Sequence, residues 1–270
     1  MVTRRFVLST IGAGAAAGGW VGLVEPAWFQ VTHTDVRIPG IRPTTILHLS
    51  DLHASDGLTP GDLRKGLEAG LSHKPDLICL TGDYVSFSHG FDGKGLRDLM
   101  REAAASAPTF AVMGNHDGGV WLKRFGGSDS PSRLMDLLHA SGVRVLENEA
   151  ALHQGINLVG MADYWSGRFL PDRAFANVDP SRPTLVLSHN PDSKDRLASL
   201  PWNLMLAGHT HGGQARVPGV TPYWMPVVDQ RFIAGLYEWN EKQLFITRGL
   251  GSPKHVRAFC RPEVSILHLG

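Results

Sequence analysis

Five short clusters hold the side chains best suited to chemistry: Ser50-Asp51-Leu52-His53, Thr81-Gly82-Asp83-Tyr84, Gly114-Asn115-His116-Asp117, Ser188-His189-Asn190 and Gly208-His209-Thr210-His211. Carboxylates, an amide oxygen and neutral imidazoles together form a donor set for first-row divalent cations such as Mn, Fe, Zn or Co. Asp51 and His53 stand two apart, as do His209 and His211, so in extended backbone each pair would project to one side and could chelate one ion. Asp51, His53, Asp83, Asn115, His189, His209 and His211 are too many ligands for one tetrahedral or octahedral ion with open positions, and about right for two. Glycines at 82, 114 and 208 permit sharp turns and close backbone approach beside them.

The elements that would position these groups follow from periodicity. Apolar β-rich runs at 45–49, 77–80, 109–113, 143–146, 156–160, 184–187, 204–207, 244–247 and 264–269 predict strands. Helical patterns cover 60–71, 94–105, 131–141 and 191–199, three of them opening on proline, whose missing N–H is harmless in a first turn. Residues 30–40 read as a lead-in without regular structure. Each polar cluster falls just after a strand, and in α/β sheets such C-terminal ends converge on one crevice. The alternation predicts a layered α/β domain, with two sheets packed face to face and helices outside.

Of the 13 histidines, His33, His73, His89, His139 and His153 read as surface residues, and His48 and His268 as packing residues within strands. Arg248, after the strand at 244–247, suits either a phosphate contact or a structural role. Cys79 and Cys260 could pair in an oxidising compartment, but Cys79 lies in the run Leu77-Ile78-Cys79-Leu80 and reads as a small buried thiol. The net charge of +1, with signs mixed and no polybasic tract, argues against a nucleic-acid partner.

At the N-terminus, Thr3-Arg4-Arg5-Phe6-Val7-Leu8 leads into an uncharged Ala/Gly-rich stretch through Val24. Residues 1–29 are therefore read as a twin-arginine-type signal or membrane anchor, and 30–270 as one globular domain. The expected location is exported or membrane-associated, at the periplasm or cell envelope.

DxH, GD, GNHD, a separate His and GHxH, in that order from Asp51 to His211, resemble the calcineurin-like metallophosphoesterases. Leu187-Ser188-His189-Asn190-Pro191-Asp192 and Gly208-His209-Thr210-His211-Gly212-Gly213-Gln214, with the twin-arginine start, are similar to exported bacterial phosphodiesterases of the YkuE/YaeI type. The resemblance implies a four-layered α/β/β/α sandwich. It implies one metal on Asp51, His53 and His211, a second on Asn115, His189 and His209, Asp83 bridging them, and His116 as the catalytic histidine. It further implies that a hydroxide shared by two divalent ions attacks phosphorus in line, with His116 protonating or stabilising the leaving alkoxide.

Phosphoprotein phosphatases of the superfamily carry an orienting Asp and a phosphate-binding Arg where this chain has Ser86 and Phe87. Asp117 is a possible substitute orienter. Purple acid phosphatases place a tyrosine ligand at the Ser86 position. The departures favour a phosphodiester or a pyrophosphate-linked small molecule or lipid over a phosphoprotein. The competing readings are a UDP-2,3-diacylglucosamine pyrophosphohydrolase and, from another class, a non-catalytic metal-binding scaffold like the retromer subunit of this fold. Retention of every ligand and of His116 weighs against the scaffold.

Overall fold

Strand β2 (Thr44–Leu49) shows how the layers arise. Ile46 packs into the core between two sheets and His48 faces Phe245 of the opposite sheet, while Leu47 and Leu49 pack under helices. The computed structural model describes residues 18–54, 59–86, 93–216 and 225–270. The arginine pair and the stretch through Ala17, together with Phe87, His89, Tyr223 and Trp224, lie outside the described residues.

One sheet has the order β1 (Gln30–Val36), β12 (Glu263–Leu269), β2, β3 (Leu77–Thr81), β4 (Thr109–Val112), β5 (Arg144–Val145). The other runs β10 (Gly235–Trp239), β11 (Lys242–Ile246), β9 (Leu204–Ala207), β8 (Thr184–Leu187), β7 (Ile156–Gly160), β6 (Glu149–His153). β2 to β5 are parallel, as are β7, β8, β9 and β11. β12, β6 and β10 attach antiparallel to β2, β7 and β11.

Helices α1 (Pro60–Leu71), α2 (Gly93–Ser106) and α4 (Ser132–His139) cover the first sheet through Leu63, Leu67, Leu96, Met100 and Leu138. Thr59 caps α1: its hydroxyl accepts the Asp62 N–H at 3.2 Å and the Asp62 carboxylate reaches back to the Thr59 N–H. Such a box is worth about 1 kcal/mol. Between the sheets lie Ile46, Leu77, Phe110, Leu185, Leu206 and Phe245. The second sheet's outer face packs on Phe175 of α5 (Pro171–Phe175), Leu197 and Trp202. Three apolar layers thus separate four structural ones, giving the expected α/β/β/α sandwich with a thinner final layer.

The segment at 191–199 departs from the expected α-helix: it is a 3-10 helix, Pro191–Leu197. Asn190 caps it by accepting the Asp192 N–H at 2.9 Å. The Asp192 carboxylate is in turn taken by the backbone N–H groups of Val228 and Asp229, at 2.7 and 3.2 Å, which ties this tight turn to a second loop. The supposed lead-in contains β1, and the edge strands β6 and β10 were not expected. The four-residue α3 (Val120–Lys123) and α5 were too short to give a pattern. Both cysteines are buried free thiols.

Among the described residues, no helix is long and apolar enough to cross a membrane. Trp20–Val24 and Glu25–Ala27 form short helical turns ahead of β1. They pack on the body: the Arg257 N–H donates to the Val21 carbonyl at 3.1 Å and the Cys260 N–H to the Glu25 carboxylate at 2.6 Å.

Candidate metal centre

The C-terminal ends of β2, β3 and β4 in one sheet, and β8 and β9 in the other, open on the same rim and carry the five clusters. The chain turns there at once. Asp51 (φ 54), His53 (φ 46), Asp83 (φ 54), His209 (φ 70) and His211 (φ 51) all occupy the left-handed region, which is costly for residues bearing a Cβ. The extended backbone expected for the two-apart pairs is therefore absent. Asp51 and His53 still meet, but His209 and His211 turn to different partners.

Two groups result. Asp51, His53 and His211 bring one donor atom each within 4.8 Å of one another, and so do Asp83, His189 and His209; all six are buried. His211 Nε2 lies 3.4 Å from an Asp51 oxygen and 3.3 Å from His53 Nε2. His189 Nε2 lies 3.1 Å from His209 Nδ1, 3.2 Å from the Asn115 side-chain oxygen and 3.2 Å from Asp83. Asp83 also comes within 3.7 Å of His53 Nε2, so it stands between the groups.

Ring nitrogens facing one another at such distances without intervening acceptors suit shared cations better than they suit hydrogen bonds. The outward nitrogens are held accordingly. His189 Nδ1–H donates to the Thr81 carbonyl at 2.7 Å, and His209 Nε2–H to the Pro226 carbonyl at 2.8 Å. His53 Nδ1 pairs with the Ser86 hydroxyl at 2.9 Å. A proton fixed on the outer nitrogen leaves the inner one its lone pair.

Electrostatics agree with this donor set. Burial lowers His53 and His209 to about 3 and His211 well below its ordinary value, so all three are neutral, ligand-competent imidazoles near pH 7. Burial lowers His189 as well, but Asp83, Asp51 and Asp163 together outweigh it and raise the pKa to about 10. Burial, reinforced by the Asp83 charge, raises Asp51 to about 6. Without a cation the carboxylates recruit a proton onto His189, which marks the site as one that demands positive charge.

Two glycines make the approach possible. Gly82 has φ +89, and a Cβ there would strike the Gly114 backbone; at Gly208 it would strike the Ser50 hydroxyl and the Asp51 carboxylate.

His116 stands beside these groups. Its backbone N–H donates to Asp83 at 2.9 Å, and its Nδ1–H donates to the Ser86 carbonyl at 2.6 Å. The orienting partner is thus a backbone carbonyl and not Asp117. Asp117 instead accepts the backbone N–H groups of Asp83, Tyr84 and Gly114 at 2.7–2.8 Å, clamping two strand-end loops together. Arg248 is engaged by Glu263 at 3.0 Å, a structural role.

The site opens into a cavity of about 480 Å³ floored by Asp83, Asn115, His209 and His211 and walled by His116, Trp121, Phe125 and Trp165. Trp121 meets the His116 ring edge-on at 4.8 Å, stacks near Trp165 at 5.8 Å, and Trp165 packs on His209 at 4.7 Å.

Four participants, Asp163, Arg257, Trp121 and Trp165, were not identified from the sequence. Asp163 is buried, and burial raises it to about 6; it follows β7 as the other acids follow their strands, so the strand-end rule could have found it. Arg257, fully buried, donates to the carbonyls of His211 and Arg248, each at 2.8 Å, and stands alone in its loop with no motif to signal it. Trp121, just downstream of Asn115 and His116, and Trp165, far in sequence from any ligand, carry no metal-donor signal.

Comparison with known proteins adds family information to this geometry. Residues 44–213 match the calcineurin-like phosphoesterase family. The chain is 38% identical to phosphodiesterase YaeI of Escherichia coli K12, over 100% of both chains. It is 26% identical to the UDP-2,3-diacylglucosamine pyrophosphatase LpxG of Chlamydia muridarum, covering 92% of this chain and 91% of that one. It is also 28% identical to YkuE of Bacillus subtilis 168, an uncharacterized metallophosphoesterase, over 100% and 98%.

Proposed function

We propose, from the premise that this chain belongs to the calcineurin-like phosphoesterase family, that it is a two-metal phosphodiesterase. The observation that carries this reading is the pair of buried donor groups with Asp83 between them, flooring a cavity beside His116. Asp51, His53 and His211 hold one divalent ion, Asn115, His189 and His209 the other, and Asp83 contributes to both. Mn, Fe, Zn and Co all suit these donors. When bound, such a pair supplies Lewis acidity for the phosphoryl oxygens and activates the attacking water.

The chain's own groups do the rest. His116, with its Nδ1–H committed to Ser86, would act as the imidazolium, passing its Nε2 proton to the leaving oxygen and ending as the neutral Nδ1–H ring. The walls of Trp121, Phe125 and Trp165 exclude water and accept a bulky planar or apolar leaving group. Lys254 is the one Lys or Arg among the described residues lining the cavity. A single cation complements the one negative charge of a diester better than the two of a monoester.

The apolar wall and the similarity to LpxG favour a second reading, hydrolysis of a nucleotide-linked lipid pyrophosphate. Metal analysis with a panel of bis-p-nitrophenyl phosphate, p-nitrophenyl phosphate and UDP-2,3-diacylglucosamine separates the two. The diester is expected to exceed the monoester in kcat/KM by at least about 100-fold, roughly 3 kcal/mol of transition-state preference. Negligible diester hydrolysis with rapid turnover of the lipid would reverse the ranking. Export through the twin-arginine-type start belongs to the same proposal. It rests on Arg4-Arg5 and the uncharged stretch after them, and loss of export on replacing both arginines by lysine tests it.

A further inference from the structure

We infer that the folded body docks on an anionic lipid surface through the unit built from residues 20–28 and the loop at 253–261. Trp20 (47% exposed), Leu23 (74%), Val24 (44%), Trp28 (50%) and Phe259 (68%) all belong to it, a concentration of large apolar side chains turned to solvent. The two stretches are far apart in sequence yet laced together. The Arg257 and Cys260 N–H groups donate to Val21 and Glu25, and the Arg261 guanidinium donates to the Trp28 and Phe29 carbonyls at 2.9 Å. The surface is therefore folded, not a tail.

Its exposed charge has one sign. Glu25 is buried and spoken for by the Cys260 N–H and the Trp20 indole N–H. What remains is Lys254, exposed, and Arg261, whose guanidinium stands 3.8 Å over the Trp28 ring. Tryptophans, aliphatic side chains and rimming cations together match the headgroup boundary of a bilayer containing anionic lipid. Chain continuity points the same way: the unit extends an uncharged run from Phe6 to Val24 whose composition suits hydrocarbon. A protein partner would leave that run unexplained.

Pro253 and Lys254 belong both to this unit and to the cavity wall, and Arg257 holds the carbonyl of His211. Docking would set the cavity mouth beside the headgroup layer, within reach of amphiphilic phosphate esters. The docking stands apart from the two-metal reading, and only this consequence for substrate rests on it.

The test is sedimentation of the full chain with vesicles of phosphatidylethanolamine doped with phosphatidylglycerol, using thermal unfolding as the control for fold. Leu23→Ser/Phe259→Ser is expected to lower partitioning at least about tenfold. Phosphatidylcholine vesicles should bind the parent protein more weakly. If the double variant melts early, Phe259→Ser alone, which alters one exposed side chain, should still weaken binding several-fold. Partitioning unchanged in the variants would mean attachment by the N-terminal run alone and would overturn the proposal. So would a parent protein that ignores vesicles, whether or not it self-associates.

Discussion

His116, the proposed general acid, is oriented by a carbonyl, not a carboxylate. With Nδ1–H donated to Ser86 at 2.6 Å, the ring's orientation is fixed, and replacing it by alanine removes no candidate ligand. His116→Ala should retain metal while kcat for a diester falls about 10²–10⁴-fold, the usual worth of a positioned general acid. Undiminished kcat in a metal-replete variant would contradict the assignment. Asp117 supports the same site differently, because its two oxygens accept three backbone N–H groups. Asp117→Asn sets an NH2 group against one or two of those donors and should cost about 2–4 kcal/mol in urea unfolding, with reduced metal content. Stability and metal content equal to the parent's would refute the clamp. The ligand types were legible in sequence because metal donors are rare in apolar surroundings and stood beside glycines. The Ser86 carbonyl was not, since any residue could supply one.

At the scale of elements, the parallel inner strands were legible, and of the edges only β5 was. β3, β4, β8 and β9 are buried on both faces and read as continuous apolar runs. β1, β6 and β10 show one face to solvent and carry polar or charged residues, which diluted their signal. β2 also bears a buried histidine. His48 shares a 2.8 Å hydrogen bond with the Thr81 hydroxyl, and its Nδ1 has no partner among the described residues. Burial lowers its pKa from 6.5 to about 3. Between those values the unfolded chain binds a proton that the folded chain refuses, so stability falls as pH drops. By about pH 4.5 the loss from this residue reaches about 2–3 kcal/mol. His48→Leu should be less stable near neutrality, because Thr81 loses its partner, yet decline less steeply on acidification. Urea midpoints of parent and variant measured at about pH 7 and 4.5 check this, and identical declines would refute it.

For the molecule as a whole, the site draws its donors from the rims of two sheets whose facing sides share an apolar core. Asp51, His53, Asp83 and Asn115 come from the first sheet's rim, and His189, His209 and His211 from the second's. Five of these residues hold unfavourable positive φ, and burial together with the Asp83 charge makes Asp51 costly to ionise. Such an arrangement is strained by itself and relieved by cations, which bind the folded chain and lack a comparable site in the unfolded one. At a free metal concentration about 100 times Kd, one ion adds about 2.7 kcal/mol, and for a chain of this size the melting temperature should rise by about 5–10 °C. Chelation should reverse the shift. Asp83→Asn, which weakens both donor groups, should shrink the metal-induced increment more than Asn115→Ala, which touches one. Calorimetry with and without chelator measures all three, and a melting temperature indifferent to metal would mean that the two rims close without ions, leaving the strained loops unexplained.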